Sequence, residues 1–178
     1  MRDEFQNPIT KAVHQLVEGI CNHRSSLRFE VAESDACLAI TIYPHASDAP
    51  MLVGKQGRTI KALEWLAERA GDLARKKCFL SMEDSFTGKS EGRKEFVARS
   101  DFDFETLKRM LATWNGLVFD CPVGMEFTRE NGEIKVYLNP ARLSDDNVTV
   151  IRALDSLFYQ YGMSNGCVVK IKPPRNGD

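Results

Sequence analysis

Gly54 and Gly57 bracket Lys55 and Gln56, and Arg58, Thr59 and Lys61 follow directly. A glycine at each end of a four-residue loop lets the backbone turn sharply and lets another chain approach with no Cβ in the way. Loop amides that open onto the start of a helix aim partial positive charge at one spot, where anionic oxygens can accept hydrogen bonds. Lys55 and Arg58 add full charges, so the chemistry on offer is the reception of phosphate-like groups. A bare pair of glycines at this spacing is common, and its bland reading is a turn between helices. The surroundings therefore decide.

Before the loop, Ile9, Val13, Leu16, Val17 and Ile20 recur at helical spacing, which predicts an amphipathic helix ending near His23. Leu27 to Val31 and Cys37 to Tyr43 alternate apolar and polar residues about a polar turn, as an antiparallel hairpin does, and Pro44 closes the second strand. A short helical turn from about Ala46 to Val53 leads into the loop. Thr59 to Leu73 then forms a long helix with Ile60, Leu63, Ala67 and Ala70 on one face, and Cys78, Leu80 and Met82 mark a third strand. Between Leu52 and Leu80, Lys55, Arg58, Lys61, Arg69, Arg75, Lys76 and Lys77 outnumber Glu64, Glu68 and Asp72. The net charge of the whole chain is only -1, so this basic stretch is local and the remainder is acidic.

This order of elements around VGKQGRT resembles a KH domain of the type II arrangement over roughly Phe5 to Glu83, and most resembles the small bacterial single-KH RNA-binding proteins. The resemblance implies an α-β-β-α-α-β unit that grips single-stranded RNA, with about four bases in an apolar groove beside the loop. Its implied contacts are Gly54, Lys55, Gln56, Gly57, Arg58, Thr59 and Lys61, with Leu52, Val53 and Ile60 lining the groove. A clamp of this kind reads mainly backbone and shape, so affinity is expected to fall with salt. Arg58, Lys61, Trp65 and Arg69 share a stripe of the long helix; Trp65 is expected to pack against the linker or the second module rather than to stack on a base.

The second half repeats the plan. Leu107 to Val118 reads as a helix, Met125 to Thr128 and Ile134 to Tyr137 as a hairpin about Asn131-Gly132, Asn147 to Tyr161 as a long helix and Val168 to Ile171 as a strand. TIKALEWL and VIRALDSL align at an offset of 91, which also lays Cys78 and Leu80 on Val169 and Ile171. Where a second clamp belongs, the offset places Asp145, Asp146, Asn147 and Val148. Two carboxylates at a helix start are good capping chemistry and repel phosphate.

Other chemistries lack their residues. Gly88-Lys89-Ser90 resembles the end of a phosphate-binding loop, but Glu83 stands where its first glycine is required. His14, His23 and His45 lie apart without ligand spacing, so no metal and no cofactor is expected. No nucleophile and base can be named, so no enzyme activity is expected. Cys21, Cys37, Cys78, Cys121 and Cys167 form no CxxC pair and read as buried, reduced thiols. With 43% hydrophobic and 28% charged residues, no apolar run of membrane-spanning length and no signal-like start, a cytoplasmic globular protein is expected.

The expected fold is α+β: two tandem KH type II-like modules, each a three-stranded sheet with helices on one face, the second lacking the glycine loop. Residues 1–84 form the RNA-binding module, 85–103 a linker and 104–178 the degenerate module. The expected partner is single-stranded RNA, ribosomal or small, in a post-transcriptional or ribosome-associated role. The second module is available for a protein partner. The competing expectation is an adaptor that uses both modules for protein contact, with the loop as a relic.

Overall fold

The computed structural model describes residues 6–83, 102–141 and 143–174. Unit one runs α1 (Pro8–Ile20), β1 (Arg28–Glu33), β2 (Cys37–Tyr43), α2 (Ala49–Val53), α3 (Arg58–Leu73) and β3 (Lys77–Met82). Unit two runs α4 (Phe104–Val118), β4 (Gly124–Glu130), β5 (Glu133–Asn139), α5 (Asp145–Ser164) and β6 (Val168–Lys172). Each unit has a three-stranded mixed sheet, in which the hairpin strands pair antiparallel and the last strand lies parallel to the second. The linker expected at 85–103 lies outside the described residues except for Phe102 and Asp103. Asp103 caps α4, accepting from the amides of Glu105 and Thr106. Among the described residues no helix is long and apolar enough to cross a membrane.

The period-two alternation of β2 and β5 fixes which side of each sheet is covered. Leu38, Ile40 and Ile42, and likewise Ile134, Val136 and Leu138, are buried, while their neighbours are half-buried or exposed. Helices cover that side, and the backs of the helices meet: α3 packs on α5 and α4, and α1 on α4 and α5. The apolar residues of both units therefore form one continuous core, with Trp114, Phe158 and Leu66 fully buried in it. Polar contacts also tie the units together. Asn165 Nδ2 donates to the carbonyl of Gly19 at 3.0 Å, and Arg69 Nε donates to the carbonyl of Val118 at 3.4 Å.

The duplication is visible in backbone detail. Arg75 and Gly166, 91 positions apart, both have positive φ, at 57° and 76°. Lys76 N donates to Gly71 O, and Cys167 N to Gly162 O, so each long helix ends in the same turn into its strand. Gly71 and Gly162 permit that close approach: a Cβ on Gly71 would stand 2.6 Å from Cys78 Cβ, and one on Gly162 would stand 2.9 Å from Cys167 O.

The earlier elements of the two units match at a different spacing. Asn7 and Asp103, the helix caps, lie 96 apart, as do Arg28 and Gly124 and the strand ends Tyr43 and Asn139. Unit two is thus five residues shorter between its second strand and its long helix, where unit one carries α2 and the glycine loop. Its four residues at the loop position, Asp145 to Val148, are instead the first turn of α5, capped by Ser144 Oγ accepting from Asn147 N at 3.2 Å.

One cysteine expectation needs correction. Cys21 and Cys78 are buried and Cys37 and Cys167 half-buried, but Cys121 is exposed, because it lies outside the helices and strands, in the short connection between α4 and β4. Burial pushes the Cys78 and Cys167 thiols up to about 11.

Candidate nucleic-acid interface

The loop is set by what precedes it. α2 starts on Ala49-Pro50, the position in a helix where a missing amide costs nothing. Asp48, just before it, is 1% exposed, and its carboxylate reaches back to the end of α1. It accepts from His23 N at 2.8 Å and lies 3.2 Å from His23 Nδ1. The His23 ring stacks on His45, with centroids 4.2 Å apart. Sequence spacing did not bring these three side chains together, since 22 residues separate the two histidines. Among the described residues no group of three or more potential ligands is arranged to hold a metal ion.

After α2 the chain turns through Gly54 at φ 71° and ψ 177°, a region essentially confined to glycine. Gln56 at φ 56° and Gly57 at φ 75° are both left-handed, so two successive residues are held in a conformation that costs a side-chain-bearing residue about 1–2 kcal/mol. Lys55 and Gln56 are exposed. The amides of Gly54, Gly57 and Arg58 are taken by Pro50, Gly54 and Lys55 carbonyls. The amides of Lys55 and Gln56 donate to no acceptor among the described residues. No side chain caps α3, whereas Asn7, Asp103 and Ser144 cap α1, α4 and α5. The donors at the start of α3 are thus left without the side-chain acceptor that the other long helices have.

The side chains expected at this site divide into two groups. Lys55, Arg58 and Lys61 are exposed, and none pairs with a described carboxylate. Val53 and Ile60 are half-buried beside the loop, as is Met51. Leu52, expected to line a groove, is 1% exposed and belongs to the core, because the single turn of α2 directs it inward against α1 and α3. Thr59, expected at the surface, is 5% exposed; its Oγ1 occupies the space beneath Gly54, 2.1 Å from where a Cβ would be. Its role is to support the loop. Further along α3, Trp65 packs against the shared core, and Arg69 donates to the carbonyl of Val118 and to Asp120. The basic stripe is therefore available only over its first turn. Lys76 is also occupied, donating to Glu33 at 2.6 Å, which holds that carboxyl below its ordinary range.

The two glycines are expected to differ in tolerance. Gly54→Ala drives a Cβ into Thr59 in a glycine-only conformation and should cost on the order of 3 kcal/mol. Gly57→Ala meets nothing nearer than Lys61 Cε at 3.6 Å and should cost about 1 kcal/mol from its positive φ alone. Urea unfolding of the two variants measures the difference, and equal losses would contradict the loop geometry.

No protein-family model matches the chain, and no curated protein is similar to it in sequence. The site is therefore read from its residues and geometry.

Proposed function

We propose that unit one is a KH type II-like RNA-binding unit that holds single-stranded RNA at Gly54–Gly57, and that the protein acts without catalysis in a post-transcriptional or ribosome-associated role. The observation that carries this is that the amides of the exposed residues Lys55 and Gln56 donate to no acceptor among the described residues, at a helix start that no side chain caps. Phosphate oxygens are the acceptors that suit such a helix start and three cations with no carboxylate partner among the described residues. The order α-β-β-α-α-β, with the last strand parallel to the second, agrees with the resemblance. Bases would lie on Val53, Ile60 and Met51, with Leu52 behind them in the core.

Unit two supplies the support. Its loop position is a capped helical turn bearing Asp145 and Asp146, and its helices are used in covering those of unit one. The competing adaptor reading, with the loop as a relic, gives the exposed Lys55 and Gln56 no task. The test is fluorescence anisotropy of a labelled single-stranded oligoribonucleotide with the wild type and with Lys55→Asp/Gln56→Asp.

A further inference from the structure

We propose that the RNA strand held at Gly54–Gly57 continues into the groove between α1 and α4, where Arg24 and Arg109 receive its next phosphates; this rests on the RNA-binding reading above. The sheet register places the two sites at one end of the molecule. Arg28, the first residue of β1, pairs with Tyr43, the last of β2. The end of α1 and Arg24 lead into that end of the sheet, and α2 and the glycine loop leave from it. Asp48 joins the two directly, bonding the backbone of His23 beside Arg24 to the start of α2. Because α4 lies against α1, Arg109 is brought to the same place from unit two.

The groove has a volume near 540 Å³, within the ~300–1,000 Å³ of ordinary ligand sites. Its floor is Tyr161, pressed so closely on Gly19 that a Cβ there would come within 2.6 Å of the ring. Its walls carry Arg24, Arg109 and Thr106. Arg24 is exposed and pairs with no described carboxylate. Arg109 is 77% exposed at its side chain; Nη2 donates to Thr106 Oγ1 at 3.0 Å and lies 3.9 Å from Asp103, and the other donors of its fork have no partner among the described residues. The one carboxylate of the lining, Glu18, stands 3.9 Å from His14 Nδ1. Two guanidiniums on one groove suit bidentate contact with phosphodiester oxygens, and its apolar lining leaves room for the attached bases. Unit two would then contribute to binding through α4, although its own loop is gone.

The experiment compares oligouridylates of 4 and 12 nucleotides by anisotropy at low salt, using the full chain as wild type, Arg24→Glu/Arg109→Glu and Lys55→Asp/Gln56→Asp. Comparing variants at one length cancels the extra registers of the longer strand. The arginine variant should bind the 12-mer about tenfold more weakly than wild type and the 4-mer equally well. Its slope of log K against log salt for the 12-mer should be shallower by about 1.4, the value for two phosphates on a single strand. Arg24→Ala/Arg109→Ala should show the same pattern to a smaller degree, and keeps the test valid if the charge reversal disturbs folding. Equal 12-mer binding by wild type and both arginine variants, with the clamp variant still defective, would overturn the groove and leave the clamp. Binding of a polyglutamate peptide that depends on the arginines, with RNA binding unchanged, would overturn it in favour of an acidic protein partner. If the clamp variant binds both oligomers like wild type, the reading beneath fails.

Discussion

Replacing Lys55 and Gln56 with aspartate is expected to lower affinity for single-stranded RNA at low salt by about 100-fold while leaving the fold intact. The size follows from charge. The two substitutions change the local charge by three units, which at roughly 5 Å from a phosphate and an effective dielectric of about 70 opposes binding by about 3 kcal/mol, and each 1.4 kcal/mol is tenfold. The fold should survive because both side chains are exposed and make no hydrogen bond or ion pair among the described residues, and because aspartate tolerates the left-handed conformation at position 56. Unfolding midpoints should therefore match the wild type within the ~0.5 kcal/mol usual for surface changes. Unchanged affinity in a folded variant would remove the clamp from the account.

The second large effect concerns the shared core. Trp114→Ala should cost about 3–5 kcal/mol, the range for a fully buried aromatic, and should destabilise both units together. The chain has two tryptophans, so in this variant Trp65, which lies in unit one, is the remaining fluorophore. With a urea slope of roughly 2 kcal/mol per molar, the midpoint reported by Trp65 should fall by about 2 M, in step with far-UV circular dichroism. A Trp65 transition that stays in place while the dichroism splits would mean two independent domains.

This cooperativity was not legible in the sequence, and the reason is physical. Periodicity marks an apolar face but not its partner: Ala62, Leu63, Leu66, Ala67 and Ala70 on α3 suit a sheet on one side as well as another helix on the other. α3 packs on α4 and α5 of the other unit, yet nothing in the spacing of its apolar residues says which helix arrives. Arg69 showed the same limit, since its bonds to Val118 and Asp120 depend on how the units dock, whereas the packing of Trp65 was expected from the rarity of an exposed tryptophan.

Element order, by contrast, was readable because each strand and helix is long enough for its period to show. The offset of 91 carried real structure, down to the matching turns at Arg75 and Gly166. The second offset, 96, was hidden because α1 and α4, and the two hairpins, share pattern but few identities. Only together do the two offsets reveal that the two units differ at the loop in length and not by substitution alone. Within the site, Leu52 was misplaced because α2 has only five residues, too few for a period to separate the buried side from the open one. Thr59 was misplaced because a hydroxyl filling the space beneath a glycine leaves no trace in spacing.

The most direct measurement is the backbone amide spectrum of the full chain titrated with a single-stranded oligouridylate. Binding as described predicts that the Lys55 and Gln56 amide resonances move first and furthest, downfield as their protons gain phosphate acceptors, and that high salt reverses the change. RNA binding that shifts other amides and leaves these two unmoved would contradict it.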